Sequence, residues 1–168
     1  LHIAKEEGIK HNARIFRTLF HPDMQNSDFF GTMKPAVGDE GAVSYKFRAG
    51  PFAKALIYAR DNPAERVHQV IEELNRAMAA AVFGELFQLL DRDADGASEY
   101  AIHAPSDEFA EWYGQEEFKL PSNLCILATM NSADQGVYPL DTAFRRRWRQ
   151  FYVPIDYSIA PGNNVRIS

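Results

Sequence analysis

The chain has 168 residues, of which 46% are hydrophobic, and its formal net charge at pH 7 is −5. This length suffices for one domain with its own core, and the composition excludes an intrinsically disordered chain. The acidic balance argues against a broad nucleic-acid-binding surface, although residues 145–149 form one local basic cluster.

The single cysteine, Cys125, lies inside an apolar strand pattern. A lone cysteine excludes an intramolecular disulfide framework and fits the reducing cytoplasm, and Cys125 is better explained as a small core residue than as a nucleophile. No apolar run approaches the ~20 residues that a membrane span needs. No signal peptide is visible, and because the chain begins at Leu1 rather than Met, we expect it to be a fragment or an incomplete gene product.

Strands and helices alternate from residue 14 onward. Apolar and β-branched patterns predict strands, and apolar stripes at helical spacing predict helices. The predicted strands cover residues 14–20, 43–47, 67–71, 99–103, 117–120, 124–129 and 149–153. Three helices are predicted. The first begins at Phe52, the second covers residues 77–90 and the third covers residues 138–148.

Four apolar strands with intervening helices predict the α/β class, as a three-layer αβα parallel sheet covered on both faces. The strand at residues 43–47 predicts a β-hairpin insertion. A second insertion, acidic and aromatic, contains Trp112 and Tyr113. That pair is explained equally well as a partner-contact site or as a local aromatic cluster.

Two consecutive carboxylates, Glu72 and Glu73, follow the apolar strand that contains Val70 and Ile71. Open α/β sheets place their ligands at the carboxyl ends of the strands. Because side chains alternate along an extended chain, one carboxylate could hold Mg²⁺ while the other orients a reacting water. The alternative is a charged turn into the next helix.

Two further polar groups lie downstream in the sequence. Asn131 and Asp134 follow the strand at residues 124–129, and three arginines end the helix at residues 138–148. Asn131 either acts at the same sheet edge as the two carboxylates or satisfies its own turn. The arginines can cap the helix dipole.

Together these segments resemble the AAA+ module of the McrB family, the nucleotide-driven motor subunits of modification-dependent restriction systems, within the dynein-related and MoxR-like clade. The segments that carry the resemblance are residues 72–76, 130–134 and 140–147, and the likeness extends over residues 14–154. It implies a partial AAA+ core at residues 14–156, between an N-terminal flank at residues 1–13 and a tail at residues 157–168.

The resemblance implies a role for each residue. Glu73 stands where the family keeps the catalytic acid of its Walker B segment, and Glu72 where an Asp usually holds Mg²⁺. Asn131 matches the sensor that places the attacking water near the nucleotide. Arg146 or Arg147 is expected to be the arginine finger, with Arg145 adjacent. Gln135 departs from the Arg often found there, which puts one intersubunit contact in doubt.

No G-x-x-x-x-G-K-[ST] segment occurs in the sequence, so no phosphate-cradling loop is predicted within it. We therefore expect ATP or GTP hydrolysis with Mg²⁺ in the parent protein, and weak or absent nucleotide binding by this chain alone. The resemblance implies a homo-oligomeric ring, expected to be a hexamer, with a McrC-like nuclease subunit and 5-methylcytosine DNA contacted indirectly. The alternatives are a MoxR-like protein-remodelling ATPase and a non-catalytic ring-assembly module.

Overall fold

The computed structural model describes residues 14–37 and 43–154. Its strands are β1 (Ile15–Leu19), β2 (Gly31–Val37), β3 (Val43–Ala49), β4 (Val67–Glu72), β5 (Ile102–His103), β6 (Glu117–Phe118) and β7 (Leu124–Ala128). Its α-helices are α1 (Asn26–Phe29), α2 (Pro51–Asp61), α3 (Ala79–Phe83), α4 (Asp107–Tyr113) and α5 (Thr142–Arg145). Two 3₁₀ segments, Leu74–Arg76 and Gly84–Leu90, flank α3.

The central feature is a three-stranded sheet of order β1-β4-β7 in which both pairings are parallel. Val67, Gln69 and Ile71 of β4 are fully buried, as expected for the middle strand of a covered sheet. Leu19 pairs with Glu72, and Ile71 pairs with Ala128, so the three carboxyl ends meet at one edge. The predicted central strand is thereby confirmed.

Helix α2 packs against β1 and β4 through one apolar face. That face is rich in alanine, and the small side chains let the helix approach the sheet closely; its buried residues are Phe52, Ala53, Ala55, Leu56 and Ala59. Pro51 occupies the first turn, where its missing N–H has no helical partner to lose. The helix ends at Asp61, just before Pro63 as predicted.

A run of aromatic rings joins the sheet and helices to the insertions. Phe29 contacts Phe20, Phe52 and Phe83 with ring-centroid separations of 5.3, 5.0 and 5.1 Å. The antiparallel hairpin β2–β3 confirms the predicted insertion, and its Phe47 ring lies 5.2 Å from that of Trp112. Phe109 and Tyr113 of α4 are buried, so the aromatic insertion packs as a local cluster.

The amino end of the sheet is held by Asn123, which precedes β7. Its side-chain Nδ2 lies within hydrogen-bond distance of the carbonyl oxygens of Ala59, Asn62 and Glu65, at 2.9, 3.0 and 2.8 Å. This contact joins the end of α2 to the start of β4, at the opposite end of the sheet from the two carboxylates.

Several predicted elements differ from the structure. The helix predicted over 77–90 is broken at Gly84, whose φ of +54° interrupts α-helical geometry and leaves a 3₁₀ segment beyond it. The helix predicted over 138–148 is helical only at Thr142–Arg145. Residues 149–153 form no strand, and Phe151 and Tyr152 are 75% and 90% exposed. Strand β2 was not predicted.

Within the described ranges, no helix combines the length and the apolar character that a membrane crossing requires.

Candidate active site at the carboxyl edge of the sheet

The candidate site is built where β4 and β7 end side by side. The backbone N–H of Thr129 donates to the Ile71 carbonyl at 2.9 Å, and the N–H of Leu74 donates to the Thr129 carbonyl at 2.9 Å. The Glu73 N–H also approaches the Thr129 hydroxyl at 3.4 Å. The ladder therefore continues past both strands and fixes the carboxylate pair against the segment that carries Asn131.

Glu73 lies in a left-handed backbone conformation, with φ 56° and ψ 45°. Among the described residues it is the one non-glycine with positive φ. The simple alternation expected of Glu72 and Glu73 along an extended strand is therefore wrong, because Glu73 is no longer extended. Left-handed geometry costs an L-residue roughly 1–2 kcal/mol, which the flanking hydrogen bonds offset. The Glu73 side chain is 40% exposed and therefore accessible.

The Glu72 carboxylate forms an ion pair with Arg17 of β1, and both side chains are partly exposed. Sequence reasoning missed Arg17; the signal was its position two residues before the end of the neighbouring strand. The described residues contain no group of three or more metal-binding side chains. Mg²⁺, however, is commonly held by one or two carboxylates plus phosphate oxygens and water. Glu72 and Glu73 fit such a site, with Arg17 competing for Glu72.

Asn131 is held by both its backbone and its side chain. Its carbonyl accepts a hydrogen bond from Asn75 Nδ2 at 2.9 Å, and its Oδ1 accepts one from the Ala133 N–H at 3.0 Å. The turn-satisfying interaction considered for Asn131 is therefore present. The Nδ2 of the exposed Asn131 makes no hydrogen bond within the described part of the chain and can donate to a ligand.

Arg76 connects the two halves of the site. It forms an ion pair with Asp134, and its Nε lies 3.8 Å from Glu73 Oε2. No chemical role could be assigned to Arg76 from its sequence position; in the structure it lies between the acid pair and the loop after β7. Arg76 therefore supplies positive charge beside Glu73.

The three arginines at residues 145–147 lie at the end of α5 and differ sharply from one another. Arg147 is 10% exposed, donates to Asp91 Oδ2 at 2.6 Å and to the Ala143 carbonyl at 2.8 Å, and lies 3.9 Å above the Phe87 ring. Arg145 and Arg146 are exposed. The guanidinium of Arg147 is therefore engaged within its own chain, whereas that of Arg146 is available to a neighbour.

Two cavities lie away from the Glu72–Glu73 pair. One of about 640 Å³ is lined by residues that include Arg60, Tyr113 and Glu117, and one of about 450 Å³ lies beside Arg145, Arg146 and Trp148. Burial raises the pKa of the Tyr113 phenol in the first of these. The larger cavity contains none of the residues predicted to act on a nucleotide, so cavity size does not locate the site.

Comparison with known proteins agrees with this geometry. Residues 6–148 match the family of AAA domains described as the dynein-related subfamily. The chain belongs to this AAA+ family. The predicted incomplete α/β fold of the AAA+ type is also confirmed by a crystal structure of a candidate ATPase from Cytophaga hutchinsonii, 21% identical, with a TM-score of 0.50 over 88% of this chain and 37% of that one.

Two curated relatives refine the assignment within the AAA+ family. The chain is 48% identical over 121 residues to the Type II restriction enzyme BsuMI component YdiS of Bacillus subtilis, covering 70% of this chain and 35% of the relative. It is 29% identical over 141 residues to the Type IV methyl-directed restriction enzyme EcoKMcrB subunit of Escherichia coli, covering 84% of this chain and 28% of the relative. The McrB-type assignment is thus confirmed, and the chain spans about a third of the length of these relatives.

Proposed function

We propose that this AAA+ segment hydrolyses ATP or GTP with Mg²⁺ when it is part of the full-length protein. The observation that supports this most is the exposed Glu73, held in a left-handed conformation at the end of the central strand and bonded through its neighbours to the Asn131 segment. A carboxylate fixed there can accept a proton from a water that attacks the γ-phosphate.

The other residues have complementary roles in this proposal. Glu72 holds Mg²⁺ through its carboxylate once Arg17 is displaced, and the ion supplies charge neutralisation at the phosphates. Asn131 donates its free Nδ2 hydrogens to a phosphate oxygen or to the attacking water. Arg146, exposed at the end of α5, reaches the nucleotide of the next subunit in a ring, expected to be a hexamer.

We further propose that the ring is the motor of a restriction system directed at 5-methylcytosine DNA and acts with a McrC-like nuclease subunit. The support is the likeness to YdiS and to the EcoKMcrB subunit. The 168-residue chain alone is proposed to be inactive, because its sequence contains no phosphate-cradling loop.

The test is triphosphatase activity of the full-length protein with GTP and with ATP, in the wild type and in Glu73→Gln. We expect the variant to lose about 10²-fold or more in kcat while nucleotide binding is kept, because only the proton acceptor is removed. Glu111→Gln, which removes the same charge from an exposed position on α4, is the matched control and is expected to retain activity.

The outcomes separate the alternatives. Ring formation without hydrolysis in the wild type would refute the proposal in favour of a ring-assembly module. A second assay compares how efficiently methylated and unmethylated plasmids transform cells that carry the intact locus. Hydrolysis with equal transformation efficiency for the two plasmids would refute the restriction role and favour protein remodelling.

A further inference from the structure

We infer that Asn75 is a positioning residue that sets the distance between Asn131 and the acid pair, a role that rests on the function proposed above. Asn75 lies in the 3₁₀ segment directly after Glu73 and Leu74 and is 3% exposed. Solvent exposure this small does not explain a polar side chain at this position.

Asn75 holds the loop after β7 at two points. Its Nδ2 donates to the Asn131 carbonyl at 2.9 Å, and its own carbonyl accepts from the Tyr138 N–H at 2.7 Å. Asn75 is therefore hydrogen-bonded to the loop after β7 at both Asn131 and Tyr138. A shift of the Asn131 backbone relative to Glu73 would require breaking the first of these hydrogen bonds.

The other side-chain atom of Asn75 indicates that stability alone does not explain this residue. Oδ1 is buried and has no hydrogen-bond donor among the residues that the structure describes. An unpaired buried acceptor costs at least as much folding free energy as a typical hydrogen bond contributes. What Asn75 provides is thus the placement of a donor opposite the Asn131 carbonyl, with little net gain in folding free energy.

This placement also fixes the chemistry of Asn131. The Asn131 carbonyl is occupied by Asn75, and its Oδ1 is occupied by the Ala133 N–H. Each oxygen keeps a second lone pair, but the group of Asn131 with no partner among the described residues is Nδ2, which can only donate. Asn131 therefore contacts an oxygen lone pair, of phosphate or of water, and acceptance of the proton is left to Glu73.

The experiment is Asn75→Asp in the full-length protein, with Asn123→Asp as the matched control. The first substitution places a carboxylate opposite the Asn131 carbonyl, and the second places one opposite three carbonyls at the far end of the sheet. The introduced carboxyl at position 75 repels the Asn131 carbonyl when ionised and can donate an O–H when protonated. Burial disfavours the ionised form, so the protonated form gains population as the pH falls.

Steady-state kinetics are measured from pH 6 to pH 8.5 as the ratio of variant to wild type. The charged side chains of the site, Glu73, Arg76 and Asp134, are the same in both proteins, so the ratio isolates the effect of the substitution. We expect kcat of Asn75→Asp to be 10- to 100-fold low at pH 8.5 and to approach wild type at pH 6, with KM little changed. Asn123→Asp is expected to lose thermal stability and to show a kcat ratio that does not vary with pH.

A second measurement needs no nucleotide. Hydrogen–deuterium exchange of residues 129–138 in nucleotide-free protein is expected to accelerate in Asn75→Asp at pH 8.5 relative to wild type, and to stay unchanged in Asn123→Asp. Accelerated exchange in Asn75→Asp, together with no hydrolysis by the wild type, would refute the proposed function and still support the positioning role of Asn75. Normal exchange and a normal kcat in Asn75→Asp would refute the positioning role alone.

Asn75→Ala guards against misfolding caused by the new charge. It removes the donor without adding a carboxylate, so we expect a kcat loss that does not recover at pH 6. A wild-type kcat in this variant would overturn the inference. Failure of both Asn75 variants to fold at every pH, while Asn123→Asp folds, would also overturn it, because Asn75 would then be a general stabilising residue.

Discussion

Arg146 and Arg147 are adjacent in sequence, yet their removal is expected to affect different properties of the protein. Replacing Arg147 by Ala removes a hydrogen bond to Asp91, one to the Ala143 carbonyl and a stacking contact with Phe87. Replacing Arg146 removes an exposed side chain. The comparison therefore tests whether internal contacts or intersubunit contacts dominate at each position.

The magnitude for Arg147→Ala follows from its contacts. The charged hydrogen bond to Asp91 contributes about 1–2 kcal/mol once the 35% exposure of Asp91 is taken into account. The contact with Phe87 contributes about 0.5–1 kcal/mol, and the bond to the Ala143 carbonyl contributes about as much. The buried Nε of Arg147 has no hydrogen-bond acceptor among the described residues, which offsets about 1 kcal/mol of this sum. We expect a net loss of about 1–3 kcal/mol in unfolding free energy, which lowers the Tm of this domain by roughly 3–10 °C.

Arg146→Ala is expected to change unfolding free energy by less than about 0.5 kcal/mol and to reduce kcat by about 10³-fold or more. Calorimetry of the domain transition and triphosphatase assays are run on both variants. Arg149→Ala is the control, because it removes an exposed charge outside α5. An unaltered Tm in Arg147→Ala, with hydrolysis lost only in that variant, would refute the reasoning and assign the finger to Arg147.

Two further predictions concern the edge and the core. Arg17→Gln releases Glu72 from its ion pair, so the Mg²⁺ concentration for half-maximal hydrolysis is expected to fall. The fall is up to about fivefold, because an exposed ion pair contributes at most about 1 kcal/mol. An unchanged or higher Mg²⁺ requirement would contradict this prediction. Gly50→Ala places a Cβ 2.4 Å from the Phe29 carbonyl oxygen and is expected to lose about 2–3 kcal/mol, measured by urea unfolding. An unchanged urea midpoint would show that α1 can move aside.

The central strand and the candidate site could be predicted because local patterns coincide with global topology there. Val70 and Ile71 suit a covered parallel strand, and the position of Glu72 and Glu73 at its carboxyl end follows from strand direction alone. The roles assigned to Glu73, Asn131 and Arg146 stay predictions until the variants are assayed.

The contacts around the site could not be predicted, because they depend on distant pairings. Arg17 with Glu72 and Arg147 with Asp91 each join residues more than fifty positions apart. Nothing in the sequence near Arg147 distinguishes it from Arg145 and Arg146. Only the packing of α5 against the 3₁₀ segment Gly84–Leu90 does so.

The missed element boundaries have backbone causes. Gly84 adopts a positive φ that breaks a sequence otherwise suited to one long helix. Residues 149–153 carry a strand-like apolar pattern, but a strand needs a neighbour to supply its ladder hydrogen bonds, and these residues have none among the described strands. Propensity indicates what a segment can form, and available partners decide whether it does.

The left-handed backbone at Glu73 has a consequence for directed evolution of this protein. Glycine adopts that conformation without steric cost, so Glu73→Gly is expected to raise heat resistance by relieving the backbone while it removes the proposed proton acceptor. Selection for thermal survival alone would therefore enrich variants that are robust but inert. A variant library of this protein therefore has to be screened for hydrolysis from the first round, because thermal stability and catalysis favour different amino acids at position 73.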